Sequence, residues 1–265
     1  MEKRHRDALS GFADQVFVLA RRSVVRTLRQ PAAVIAPLVF PMLLLAVNSG
    51  GLKAETRLPG FPTSSFFAFA LAVPFIQGAL FSTMNAGTDL ARDIQTGFLN
   101  RLTLTPMRRL AVLGGQLGGV VTLGLLQGVV YLTVGFAVGV HFASGPLGVL
   151  ALGAFAFLVA LGFGALGALA ALRTGSGEAV QGLFPAFFVF LFISSMNIPR
   201  NLIQVTWFRD AATANPVSYL IECVRSLIIT GWDAEALALG FGIAAVIAIV
   251  GLSLSSWALK VRMAR

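Results

Sequence analysis

The residues best placed for specific binding chemistry lie in one short polar segment, 89–109, between two long apolar stretches. Its side chains recur at helical spacing as an apolar ridge with a polar rim: Phe98, Leu99 and Leu102, flanked by Asp93, Asn100 and Arg101. A helix of this kind can dock into a groove on a soluble partner. Thr88 or Asp89 can cap its start, and Pro106 would end it because proline has no backbone N–H to donate. The segment therefore predicts a docking helix, with a featureless surface loop as the alternative.

A second charged pair stands in an otherwise apolar stretch nearer the carboxyl terminus. Glu222 and Arg225 are three residues apart, so on a helix their side chains can form an ion pair. Apolar residues surround them at spacings that give a helix one apolar face: Val217, Leu220, Ile221, Val224, Leu227 and Ile228. The pattern predicts a partly buried helix that carries this pair.

Chemistry of other kinds has little support in the sequence. A phosphate-cradling loop needs glycine followed by lysine and then serine or threonine, and none of the three lysines follows a glycine. The two histidines, His5 and His141, are far apart, and Cys223 is the single cysteine. We therefore predict no catalytic residue and no metal ligand in this chain, with an intramembrane enzyme as the alternative.

The composition indicates that the chain lies in a membrane. Hydrophobic residues make up 57%, charged residues 12% and the mean hydropathy is +0.83, whereas soluble domains carry about 25% charged residues. Six stretches, all free of Asp, Glu, Lys and Arg, have the length of a membrane-spanning helix: 31–50, 63–87, 110–140, 146–172, 179–198 and 236–259. The sequence predicts an all-α integral membrane protein with six spans. The uncharged spans argue against an ion-driven carrier.

Uncharged polar residues inside or beside these spans are candidates for a substrate path or for contacts between helices: Gln77, Gln116, Gln127, Gln181 and Asn197. Their spacing does not decide between the two roles. Spans three and four are also rich in glycine, which permits close helix packing. That packing could lie within the chain or in a seam between two copies.

Positive charge is divided unevenly between the two sides of the predicted bundle. Fifteen of the 20 lysines and arginines lie on the side of the termini, which by the positive-inside rule is the cytoplasm. The net charge of +9 and pI of about 11.2 then reflect topology and contact with anionic lipid, and predict no nucleic-acid binding. Residues 8–30 form a basic amphipathic pattern suited to the membrane interface, with packing on a partner as the alternative.

Two motifs give the chain a resemblance to a known family. The first, Asp93-x-x-x-Gly97-x-x-Asn100-Arg101-x-x-x-x-Pro106-Met-x-Arg109, resembles the cytoplasmic-loop signature of ATP-binding-cassette type 2 permeases, particularly their daunorubicin-resistance branch. The second, Ala214-Asn215-Pro216-Val217-Ser218-Tyr219-Leu-Ile-Glu222-Cys-Val-Arg225, is similar to the element before the family's last span. Asn100 stands where the family usually has an acid, and Ser218 where it has threonine. Both motifs lie in the expected loops.

The resemblance implies a permease subunit that pairs with a second permease copy, identical or different, and binds two ATPase subunits. ATP and Mg²⁺ would be held by the ATPase, and this chain would bind no cofactor. The loop 89–109 would be the coupling helix, through Asp93, Gly97, Phe98, Leu99, Asn100, Arg101, Leu102 and Pro106. The segment 199–233 would form short external re-entrant helices that gate or cap the bundle, through Asn215, Pro216, Tyr219, Glu222 and Arg225.

Together these observations predict one permease domain over residues 1–265 in the plasma membrane of a bacterium, with both termini in the cytoplasm. We expect it to export an amphipathic drug-like or lipid-linked molecule. The alternatives are a polysaccharide or glycolipid exporter of related architecture and a membrane scaffold that transports nothing.

Overall fold

The computed structural model describes residues 2–103 and 107–262, with side chains over 11–99, 101–102, 107–108 and 110–262. Helices account for 83% of the structure, and the described residues contain no strand. The predicted all-α integral membrane fold is confirmed. Pro106 lies outside the described residues, and so does the side chain of Asn100.

The first half of the chain has six α-helices: α1 Glu2–Leu28, α2 Pro31–Gly51, α3 Phe66–Ala70, α4 Ala72–Gln95, α5 Phe98–Thr103 and α6 Arg109–Ala137. A 3₁₀ turn, Lys53–Arg57, follows α2. Pro31 occupies the first turn of α2, where its missing N–H costs no helical hydrogen bond. Leu71 joins α3 to α4, three residues before Pro74, whose lack of an N–H prevents a regular hydrogen bond there.

The second half has α7 Gly145–Thr174, α8 Gly177–Gln181, α9 Phe184–Phe192, α10 Thr206–Ala214, α11 Pro216–Arg225 and α12 Ala234–Arg262. A 3₁₀ turn, Arg200–Leu202, precedes α10, and a π-helical turn, Ser226–Thr230, extends α11. Gly175 ends α7 at φ +69°, a backbone conformation that suits glycine. Asp233 caps α12 by accepting hydrogen bonds from the N–H groups of Glu235 and Ala236.

Five helical segments are long and apolar enough to cross a bilayer: Pro31–Gly51, Phe66–Gln95, Leu110–Ala137, Gly145–Thr174 and Ala234–Arg262. They coincide with five of the six predicted spans. The remaining predicted span, 179–198, is shorter, because its helical part ends at Phe192 and is interrupted between α8 and α9. Pro185, in the first turn of α9, has no N–H to continue a helix from α8, and Gly182 lies in the break itself.

The helix α4 lies at the centre of the bundle and is mostly buried against α2, α6, α7 and α11. Two apolar clusters surround it. One includes Phe69, Tyr131 and Leu220 near the end of the bundle that holds α10 and α11, and the other includes Leu19, Leu99 and Leu259 near the opposite end. We call these ends the outer end and the inner end.

Two prolines inside α2 explain why polar side chains of its neighbours point at it. Pro37 and Pro41 cannot donate a hydrogen bond to the carbonyls of Ala33 and Pro37. Asn85 Nδ2 of α4 donates to Ala33 O at 3.1 Å, and Tyr131 Oη of α6 donates to Pro37 O at 2.7 Å. The missing helical bonds of α2 are thus replaced by bonds that fix it to the bundle.

Glycines of α6 let α1 pack closely along it. A Cβ on Gly115 would overlap the Cβ of Leu19, and one on Gly118 would lie 2.7 Å from the Cβ of Ala20. Ser23 Oγ donates to Gln116 O at 2.9 Å across the same contact. These glycines of the third predicted span therefore serve packing within the chain.

Candidate functional site at the inner end

A buried carboxylate holds three helices together at the inner end. Asp93, near the end of α4, is 2% exposed. Arg22 donates from Nη1 to Oδ2 and from Nη2 to Oδ1, both at 3.0 Å, so the two groups form a bidentate pair. Arg26 Nη1 donates to Oδ1 at 2.9 Å, and Gln116 Nε2 donates to Oδ2 at 2.6 Å. The carboxylate thereby links α1, α4 and α6.

Two further contacts extend this arrangement. We give the name inner cluster to the five residues Arg22, Arg26, Asp89, Asp93 and Gln116. Arg26 also pairs with Asp89, with Nη2 3.1 Å from Oδ1. The guanidinium of Arg22 lies 3.7 Å from the centroid of the Phe98 ring, which begins α5. A shift of α1 would therefore act on both α4 and α5.

The helix α5 presents its apolar residues mainly to the chain itself. Leu99 is 1% exposed and packs among the buried apolar residues at the inner end of the bundle, such as Leu19 and Leu259. Phe98 and Leu102 are partly buried against the same residues. Gly97 adopts φ +70° between α4 and α5, and a Cβ there would meet no atom of the described side chains within 4 Å. Arg101 is exposed, and its Nη2 donates to Thr96 O at 3.3 Å. Among the described side chains of this loop, the surface available to a partner is the turn around Thr96, Gly97 and Arg101, which we call the α4–α5 turn.

At the outer end, Asn215 connects the short helices to the bundle. Its Oδ1 caps α11 by accepting from Val217 N at 2.9 Å. Its Nδ2 donates to the carbonyls of Phe190 and Ile193, at 2.5 and 2.7 Å, just where α9 ends. Tyr219 Oη donates to Thr213 O at 2.9 Å, so the hydroxyl of this α11 residue connects α11 to α10. Pro216 follows Asn215 as the first residue of α11.

The prediction that Glu222 forms an ion pair with Arg225 is wrong. Glu222 pairs instead with Arg200, whose Nε and Nη2 donate to the two carboxylate oxygens at 2.7 and 2.6 Å. Arg225 donates to three backbone carbonyls: Phe69 O at 3.2 Å, Ser195 O at 3.0 Å and Met196 O at 3.2 Å. The loop before α10 brings Arg200 to Glu222, which sequence spacing could not show.

Arg225 lines a cleft of about 540 Å³ at the outer end, together with Arg200, Arg209 and Glu222. Arg225 is 7% exposed, and its guanidinium lies 3.5 Å from the centroid of the Phe69 ring. Burial lowers the pKa of Arg225 to about 9, so the group remains charged at neutral pH. Carbonyl oxygens and an aromatic face are the groups that stabilise this buried cation.

The five uncharged polar residues proposed for a substrate path do not come together. Gln77 and Gln127 are buried within the bundle, at 1% and 2% exposure. Gln116 belongs to the inner cluster, Gln181 is exposed at the end of α8, and Asn197 is partly buried in the loop after α9. Among the described residues, no group of three or more His, Cys, Asp or Glu could hold a metal ion.

Sequence reasoning missed the arginines that bind Asp93. Arg22 and Arg26 are four residues apart on α1, so they share one helix face. That spacing was a signal for a shared acidic partner. Their distance from Asp93 in sequence, 71 and 67 residues, concealed which acid it was.

Comparison with known proteins decides the family. Residues 14–229 match the family described as ABC-2 type transporter, which is most of the chain. The chain belongs to the ABC-2 type transporter family. The permeases of this family are non-catalytic membrane subunits, and the ATPase is a separate subunit. The chain is therefore a multi-pass membrane permease of an ABC exporter.

Several relatives of this ABC-2 permease carry names that mention drug resistance. It is 29% identical over 201 residues to the daunorubicin resistance ABC transporter permease protein DrrB1 of Streptomyces coeruleorubidus. The matched residues make up 74% of this chain and 66% of the relative. It is 26% identical to the putative transport permease ycf38 of Cyanophora paradoxa, over 82% of this chain and 74% of the relative. The probable doxorubicin resistance ABC transporter permease protein DrrC of Mycobacterium tuberculosis is 24% identical, over 83% and 79%.

Proposed function

We propose that this permease moves an amphipathic, drug-like or lipid-linked molecule out of a bacterial cell, driven by ATP and Mg²⁺ bound to partner ATPase subunits. The names of the DrrB1 and DrrC relatives support an amphipathic cargo. The excess of basic residues at the inner end supports a plasma-membrane orientation with both termini in the cytoplasm.

The α4–α5 turn carries the proposal that the ATPase docks at the inner end. Gly97 leaves an open surface beside the exposed Arg101, and the inner cluster braces this surface from behind through Phe98 and Asp93. A braced protrusion can transmit a push from a soluble subunit to α1, α4 and α6, whereas a loose loop would absorb it. We infer that ATPase movement reaches the spans through this route.

The same proposal includes a second permease copy, because α2 has a largely unburied apolar face. Ile35, Val39, Leu43 and Val47 are each about half exposed or more, while within α2 only Pro37, Pro41 and Leu45 are buried. Phe40 continues this face toward α9, where it meets Phe188 at a ring-centroid distance of 6.3 Å. A copy packed here would enclose a path between two bundles.

Co-purification of the ATPase with Gly97 and Arg101 variants tests the docking. Gly97→Trp should abolish association by filling the open surface, and Arg101→Ala should weaken it about tenfold, as for a central interface contact. Gly139→Trp is the matched control, because Gly139 has φ +86° and open space at the outer end. Hydrolysis stimulated by doxorubicin should fall in the same order. Full binding and stimulation in both Gly97→Trp and Arg101→Ala would overturn the proposal.

A further inference from the structure

The helix α1 has a second apolar face that no described part of the chain covers. Its inward face, with Leu19, Ser23 and Thr27, is buried on α6. On the other side Phe17 is 68% exposed, Val18 64% and Leu28 51%. A helix that only capped the bundle would need one apolar face, so the outward face calls for an apolar partner of its own.

Arginines alternate with these apolar side chains and form a shallow, open groove along one face of α1. The groove is lined by Phe17, Val18, Arg21, Arg22, Val25, Arg26, Arg29 and Gln30. Arg22 and Arg26 are held by Asp93. Arg21 and Arg29 are exposed and have no carboxylate partner among the described side chains. The acid nearest along α1 is the exposed Asp14, one turn before Phe17, so the groove keeps a positive excess.

The position of the groove decides which amphiphile it meets. Arg29 and Gln30 end the groove, and α2 begins at Pro31 as a membrane-spanning helix. The exposed Ile35 and Val39 continue the apolar surface along α2. Arg29 therefore adjoins the start of a membrane-spanning helix, where a bilayer changes from hydrocarbon to headgroups, and apolar side chains lie beside it. Anionic headgroups attract basic side chains at this depth by about 1 kcal/mol each.

We propose that the groove binds an anionic phospholipid, with Arg21 and Arg29 holding its phosphate and Phe17, Val18 and Val25 contacting an acyl chain. Arg22 and Arg26 line the same groove and also hold Asp93. A bound phosphate draws on the same guanidinium groups, so lipid occupancy shifts the inner cluster and the attached α5. This binding is independent of the proposed cargo and ATPase.

Native mass spectrometry of the purified full chain tests the binding without the ATPase. The probes are phosphatidylglycerol and phosphatidylcholine with the same acyl chains. We expect phosphatidylglycerol to bind more tightly, and the double variant Arg21→Gln, Arg29→Gln to weaken it about 30-fold, the equivalent of two headgroup contacts. The control Arg57→Gln, Arg209→Gln removes two exposed arginines elsewhere and should leave binding unchanged.

A second variant tests the apolar half of the site. Phe17→Ser with Val18→Ser should lower affinity for phosphatidylglycerol severalfold while leaving the weak binding of soluble glycerol phosphate unchanged. Thermal unfolding in detergent checks that each variant folds.

Three results would overturn the proposal. One is equal binding of phosphatidylglycerol and phosphatidylcholine by the wild type. Another is a loss of phosphatidylglycerol affinity in the control double variant as large as that in the groove double variant. The third is a groove variant that keeps its lipid but loses the ATPase in the co-purification assay, which would make the groove a protein-docking surface. Failure of export with normal lipid binding would instead count against the proposed function alone.

Discussion

The inner and outer ends of the bundle bury opposite charges and stabilise them differently. At the inner end, the carboxylate of Asp93 accepts hydrogen bonds from side chains of α1 and α6. At the outer end, the guanidinium of Arg225 donates to three backbone carbonyls beside helix ends. At the inner end both members of each bond are side chains, which can exchange partners by changing rotamer, whereas at the outer end the acceptors are backbone atoms fixed by the segments that carry them. The inner cluster is thus suited to transmit movement, and Arg225 is suited to hold the frame still.

The largest effect expected from this comparison is that of Asp93→Ala. Removing the carboxylate leaves Arg22 without its bidentate partner and Arg26 with Asp89 alone, which lowers the free energy of unfolding by about 3 kcal/mol. Thermal unfolding in detergent measures the loss. Asp93→Asn, which keeps an oxygen acceptor and loses the charge, should lie between Asp93→Ala and the wild type.

Asp14→Ala is the matched control for Asp93, because Asp14 is an exposed acid on α1. Surface substitutions of this kind usually change stability by less than about 0.5 kcal/mol. If Asp93→Ala unfolded like this control, the inner cluster would not hold α1 to the bundle, and the contrast with Arg225 would disappear.

The second prediction concerns Arg225→Ala. Loss of its guanidinium leaves three carbonyls without a donor, and water from the adjoining cleft can replace part of that contact. We expect a loss of about 2 kcal/mol, with Arg209→Ala, an exposed arginine of the same cleft, close to the wild type. Parallel unfolding and export assays separate two roles. A stable Arg225→Ala variant that fails only in export would show a gate in place of a frame.

The five long spans were readable from sequence because uncharged runs of about 20 residues have few alternatives to crossing a bilayer. The break in the remaining predicted span, between α8 and α9, was not readable in this way. The stretch 179–198 is as apolar as its neighbours, and hydropathy does not record that Pro185 lacks a donor or that Gly182 favours a break. The presence of proline does not by itself predict such a break, because α2 continues through Pro37 and Pro41. Its neighbours supply the missing donors, which a single sequence does not reveal.

The candidate site was readable as residue types but not as pairings. The sequence indicated a ridge at Phe98, Leu99 and Leu102, yet a six-residue helix beside a membrane bundle can bury its apolar residues on its own chain, as Leu99 does. Spacing permitted Glu222 to pair with Arg225, but the loop before α10 presents Arg200 in a bidentate geometry. Pairings between distant segments depend on tertiary packing, which periodicity does not encode.

The smallest expected effect is that of the outer ion pair between Arg200 and Glu222. Each side chain is about a quarter exposed, at 24% and 23%, so water and salt screen the pair. A double-mutant cycle with Arg200→Gln and Glu222→Gln should give a coupling energy of about 1 kcal/mol that shrinks in high salt. Tyr219 adds a contact independent of Glu222, since the guanidinium of Arg200 lies 4.3 Å from its ring centroid. Arg200→Gln should therefore destabilise slightly more than Glu222→Gln. A coupling energy as large as the loss in Asp93→Ala would mean that side-chain charge pairs hold both ends alike, and that the outer end is as free to switch as the inner one.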